Sequence, residues 1–167
     1  MFYMYRCCKI ISKSKNGFTL LELLIVITVV GILASLAIPN IIKIADDYRL
    51  NEAAKEIARE IINTQQLAMY YGIDMQFEID IYNNQYSVRT RGTPSKLFKR
   101  GQLDRSMTIA TNLYNPGYSG SYKGIRTLYY SPSGMPSRTG TIWLYSETGG
   151  YKRITIAVGT GRVKIWD

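Results

Sequence analysis

From Phe18 to Ile38 the chain runs for 21 residues with a single charge, Glu22, in a stretch that begins GFTLLELLIVITVV. A helix rises about 1.5 Å per residue, so this run covers roughly 30 Å, the thickness of a bilayer's hydrocarbon core. A secretory signal has a shorter apolar core closed by a small-residue cleavage site. Here the run passes without a break into a further helical pattern, and it reads as a membrane anchor. Arg6, Lys9, Lys13 and Lys15 precede it, and Asp46 and Asp47 follow it. This Lys/Arg bias predicts a single pass through the lipid membrane, with the N-terminus in the cytoplasm and the bulk of the protein outside.

Glu22 needs a partner or an exit. A carboxylate in a membrane helix costs on the order of 2.5–3.5 kcal/mol near the bilayer centre and less toward an end. Glu22 can snorkel to the membrane edge. Alternatively, a cut after Gly17 would give Phe18 a free cationic amine one helical turn from Glu22, on the same face. That amine, its own or a neighbouring subunit's, is then the natural counter-charge.

The residues KNGFTLLELLIVI, with Gly before Phe, then Thr19, Glu22 and a long apolar run behind a basic leader, resemble the class III signal of type IV pilins and type II secretion pseudopilins. The resemblance implies that a prepilin peptidase cleaves between Gly17 and Phe18 and methylates the Phe18 amine. It also implies that Glu22 pairs with the N-terminus of an adjacent pilin or pseudopilin subunit, on an inner assembly platform. The leader is longer than the shortest pilin leaders, yet its charge and its terminal Gly17 fit. Three segments are expected: a cleaved basic leader, 1–17; a transmembrane and filament-core helix, 18–45; and a globular head, 46–167.

Beyond Pro39 the pattern becomes amphipathic. Leu50, Ala54, Ile57, Ile61, Ala68 and Tyr71 recur at helical spacing, with Glu52, Lys55, Glu56, Arg59 and Glu60 between them. One helix should continue to about Tyr71, supported slightly by Glu52/Lys55 and Glu56/Arg59 pairs. Pro39 removes a backbone donor, which predicts a kink, a local melting or a simply tolerated membrane proline. Gly72 ends the helix as a left-handed cap would.

The rest reads as strands. MQFEIDI alternates, with Met75, Phe77, Ile79 and Ile81 on one face. After a turn at Asn83 and Asn84, QYSVRTR returns with Tyr86 and Val88 inward and Ser87, Arg89 and Arg91 outward. Residues 92–124 are rich in turn formers and read mostly as loop, with one short strand in SMTIAT. IRTLYYS, TIWLYS, RITIAV and RVKIW follow as strands. The expectation is an α+β fold in which an antiparallel sheet packs on the helix. The pilin resemblance implies the same plan, a type IV pilin-like lollipop with the first half of its long helix transmembrane. LYYSPSGMPSRTGTIWL and RITIAVGTGRVKI further resemble the GspH/FimT group of minor pilins and pseudopilins.

Charge and missing residue types narrow the function. The chain has no histidine, and its two cysteines, Cys7 and Cys8, both lie in the leader. The head therefore lacks the commonest general base, the commonest metal ligand and any thiol nucleophile, and no enzyme, cofactor or metal is expected. GTG precedes a strand rather than a helix, so it offers no phosphate cradle. Residues 85–167 carry a net +10 against −5 for 18–84. In GTGRVKIW, Arg162, Lys164 and Trp166 share one strand face, with Lys152 and Arg153, and Arg89 and Arg91, as neighbours. Cations can neutralise phosphates and an indole can stack on a base, so this end is a candidate DNA surface. DNA-uptake members of the group carry Gly-Arg-x-Arg here, and Lys164 replaces the second Arg with a charge that lacks the bidentate fork. Lys and Arg also protect sheet edges without any ligand. The main reading is a structural subunit that passes from the membrane into a pilus or pseudopilus. The alternative is a DNA-binding minor pilin for natural transformation.

Overall fold

The computed structural model describes residues 17–116 and 123–167, with the backbone alone at positions 36, 37 and 39. Most of the predicted leader, Cys7 and Cys8 included, lies outside the described residues. The chain divides into two compact units, Met1–Asn40 and Ile41–Asp167. One helix, α1, is assigned from Leu20 to Tyr71, and its backbone is helical at position 39.

In the first unit every large apolar side chain from Phe18 to Leu33 is at least half exposed. The helix contains a window long and apolar enough to cross a membrane. The hydroxyls of Thr28 and Ser35 turn back onto the helix itself: Thr28 Oγ1 donates to Leu24 O at 2.7 Å, and Ser35 Oγ to Ile32 O at 2.7 Å. That internal bonding lets polar side chains sit in an apolar run without an outside partner.

In the second unit α1 buries the predicted stripe. Leu50, Ala54, Ile57, Ile61 and Ala68 are at most 1% exposed, and Ala53, Ala58 and Thr64 widen the face. Tyr71 departs from the expectation and is half exposed, because the helix stops there; its ring leans on Phe98, centroids 5.4 Å apart. Gly72 takes φ +65° and donates its N–H to Ala68 O at 3.0 Å, the predicted left-handed ending. Glu52 and Lys55 pair at 2.8 Å. Glu56 and Arg59 do not pair; Glu56 instead accepts the Tyr86 hydroxyl at 2.5 Å. Glu60 also faces the protein rather than solvent and receives Lys99 Nζ at 2.5 Å.

Among the described residues eight strands form two antiparallel sheets, where one antiparallel sheet was expected. They are β1 (Met75–Asp80), β2 (Gln85–Thr90), β3 (Leu97–Gln102), β4 (Thr108–Thr111), β5 (Ile125–Tyr130), β6 (Gly140–Tyr145), β7 (Tyr151–Ile156) and β8 (Val163–Trp166). One sheet has the order β3-β2-β1-β5 and the other β4-β6-β7-β8. Phe77, Ile79, Tyr86, Val88 and Leu128 of the first sheet join Ile109, Ile142, Leu144, Ile154 and Ile156 of the second in one core with the helix stripe.

Strand β3 lies in the stretch expected to be mostly loop. It is an edge strand with little burial, and Lys99 and Arg100 give it the charge that discourages further pairing. Its register places Gly101 opposite Tyr86. A Cβ at Gly101 would lie 2.2 Å from Tyr86 Cζ, so the glycine makes room for the ring. Ser87 faces outward as expected, yet it is buried within a polar network on that outer face. Glu78 Oε2 accepts Ser87 Oγ at 2.9 Å and Arg89 Nε at 3.1 Å.

Candidate functional site

The first site is the helix start. Thr19 precedes the first helical residue, and its Oγ1 accepts the Glu22 backbone N–H at 3.2 Å. Glu22 Oε2 in return accepts the Thr19 N–H at 2.9 Å and the Thr19 hydroxyl at 3.0 Å. This is a capping box, in which two orphan donors of the helix N-terminus are satisfied reciprocally. Glu22, expected to need a charge partner, is thus first a partner of its own helix end, and Thr-x-x-Glu is the signature of that bond. Glu22 Oε1 makes no hydrogen bond among the described residues. One oxygen therefore holds the helix end while the other is open to a cation. Phe18, directly before the box, is 89% exposed.

The second site is the outer face of the β4-β6-β7-β8 sheet. Ile142 and Leu144 point into the core, which turns Trp143 outward between them. Register aligns Trp143, Arg153 and Trp166 in one row across β6, β7 and β8. Trp166 carries two cations: Lys164 Nζ lies 3.5 Å and Arg153 Cζ 5.3 Å from its ring centroid. Its Nε1–H donates to Thr155 Oγ1 at 3.0 Å, which ties the indole to β7. In the next row Tyr145 and Tyr151 lie with ring centroids 6.3 Å apart.

Of the five residues predicted for DNA, Arg153, Lys164 and Trp166 meet on this face. Arg162 is exposed just before β8. Lys152 is set by strand alternation away from that row, and its ammonium pairs with the Asp167 carboxylate. Arg89 and Arg91, read as neighbours, belong to the other sheet or its edge. There they are taken up by Glu78 and Asp74, and Arg91 also stacks on Tyr129 at 4.5 Å.

The two motifs of the head have a structural reason that the sequence did not reveal. In SPSG, Gly134 has φ +76°; in GTGR, Gly161 has φ +64°. Gln65 of α1 donates from Nε2 to Gly134 O at 2.8 Å, and a Cβ at Gly161 would stand 2.4 Å from that same nitrogen. One helix side chain thus fastens one turn and packs against the other, and both glycines permit it.

Residues 12–38 match the model of the prokaryotic N-terminal methylation motif. The type IV major pilin protein PilA of Myxococcus xanthus is 54% identical over 42 residues, which is 25% of this chain and 19% of that protein. The type II secretion system core protein G of Klebsiella michiganensis is 31% identical over 87 residues, 52% of this chain and 53% of that protein. The chain thus spans about half, or less, of the curated relatives it matches. Among solved structures, the minor pseudopilin EpsH from the type 2 secretion system of Vibrio cholerae aligns over 71% of this chain and 96% of its own, with TM-score 0.55 and 13% identity. The type IV minor pilin FimU of Pseudomonas aeruginosa aligns over 74% of this chain and 92% of its own, with TM-score 0.57 and 12% identity. The N-terminus carries the prepilin-type methylation motif, and the fold is the one shared by minor pilins and pseudopilins.

Proposed function

We propose that this chain is a minor pilin or pseudopilin, a structural subunit of a filament machine of the type II secretion or type IV pilus kind. Residues 18–45 anchor it in the membrane and later form its contact with other subunits, and residues 46–167 form the head it carries. A prepilin peptidase removes 1–17 and methylates Phe18. The inner assembly platform then takes up the membrane-held subunit, whose N-terminus starts on the cytoplasmic side. The observation that carries this reading is the helix start. There a capped Thr19-Glu22 pair with one open carboxylate oxygen heads an apolar helix whose side chains are exposed.

In this reading the amine released at Phe18, or that of the neighbouring subunit, reaches the open oxygen as the capping box holds the other. Charge-assisted pairing of this kind is strongest where water is excluded, as between packed apolar helices. Catalysis has no part in it.

Mass spectrometry of the chain recovered from cells with a prepilin peptidase tests the processing step. The expected species begins at Phe18 and carries one added methyl group. A mature chain cut beyond Ile38, or left uncut from Met1, would overturn the reading.

A further inference from the structure

The outer face of the β4-β6-β7-β8 sheet carries more than a protected edge needs. None of its four strands contains Asp or Glu. Strands lie about 4.8 Å apart, so Trp143 and Trp166, with Arg153 between them, stand roughly 10 Å apart across the sheet. Tyr145 and Tyr151 form a second aromatic pair one row along the strands. The hydroxyls of Thr108, Thr141, Tyr145 and Tyr151 make no hydrogen bond to the described residues, whereas Thr155 is taken by Trp166. Arg153 and Lys164 are exposed and held over the Trp166 ring by cation–π contact.

A ligand that matches this face must lay flat apolar C–H surfaces on aromatic rings, offer hydroxyls to hydroxyls, and bring negative charge to two fixed cations. The free hydroxyls of this face outnumber its cations, which is the reverse of what a phosphate backbone selects. We propose that this face binds an anionic polysaccharide, a chain of sugar rings bearing carboxylates. The rings stack on Tyr145, Tyr151 and Trp143, and the carboxylates meet Arg153 and Lys164, which Trp166 holds in place.

The test uses the full chain in a neutral detergent, titrated with polygalacturonate, neutral dextran, oligo(dT) and vesicles containing phosphatidylglycerol. Polygalacturonate should bind at low salt and be preferred over the other three. Arg153→Gln and Tyr151→Ala should each weaken it about tenfold, while Lys96→Gln, in the loop that precedes β3 of the other sheet, should not. Both positions on the face are exposed, and unchanged circular dichroism would establish that the variants fold. Absence of polygalacturonate binding, insensitivity to both variants, or preference for oligo(dT) or vesicles would each overturn the assignment. Glu22→Ala should bind as the parent does, so a failure here is separable from a failure of the filament reading.

Discussion

Glu22→Ala should leave the cut after Gly17 intact and lower the amount of chain found in filaments at least about tenfold. Two losses combine. The capping box loses its acceptor, worth about 1 kcal/mol at a helix start. In the packed filament the partner amine also loses its carboxylate, and leaving one charge of a buried pair alone costs about 3–5 kcal/mol. Glu22→Gln separates the two, because its amide oxygen can still accept from Thr19 while carrying no charge. Gel analysis of cleavage beside quantification of sheared filaments should show Gln behaving nearly as Ala does. Recovery of incorporation by Gln would assign the role of Glu22 to the helix cap and refute charge pairing.

Gly101→Ala should be the most damaging single methyl in the head. The added Cβ would meet two ring carbons of Tyr86, Cζ and Cε1, and its hydroxyl oxygen at 2.2 to 2.4 Å. That ring is 2% exposed, stacks on Phe77 at 6.0 Å and donates its hydroxyl to Glu56 of α1. A flexible side-chain tip could move aside, but a buried aromatic ring tied at its far end cannot without breaking that bond. Overpacking costs about 1–3 kcal/mol and the lost bond to a carboxylate about 1.5–3 kcal/mol, so a total near 3 kcal/mol is expected. Urea unfolding of the parent, Gly101→Ala, Tyr86→Ala and the double variant measures it. Once Tyr86 is removed, Gly101→Ala should add little. A full additional loss in the double variant would place the strain elsewhere.

Much of the fold was legible because it rests on local periodicity. The helical stripe from Leu50 to Ala68, the Gly72 ending, the β1–β2 hairpin and the strands β5 to β8 all follow from spacing and turn residues. What escaped depends on pairing over distance. β4 joins β6 across some thirty positions of sequence, so a second sheet leaves no local trace. β3 buries too little to alternate, and only its register with β2 makes it a strand. Ser87 is covered by charged neighbours, which hydrophobic patterning does not count.

The sites divide in the same way. Thr19 and Glu22 stand three residues apart, and their capping box was readable but overshadowed by the apolar run around it. Which cations of the basic half are free was not readable. Asp167 takes Lys152, Glu78 takes Arg89 and Asp74 takes Arg91, while Lys164 and Arg153 remain exposed over an indole. The Trp143–Arg153–Trp166 row exists only through register.

The most direct measurement is the N-terminus of this chain within filaments sheared from cells that express it with its own assembly machinery. The filament fraction should contain the chain as a minor component, beginning at methylated Phe18. A chain that is fully processed yet confined to the membrane fraction, under conditions where filaments form, would contradict the assembly role assigned to its N-terminal helix.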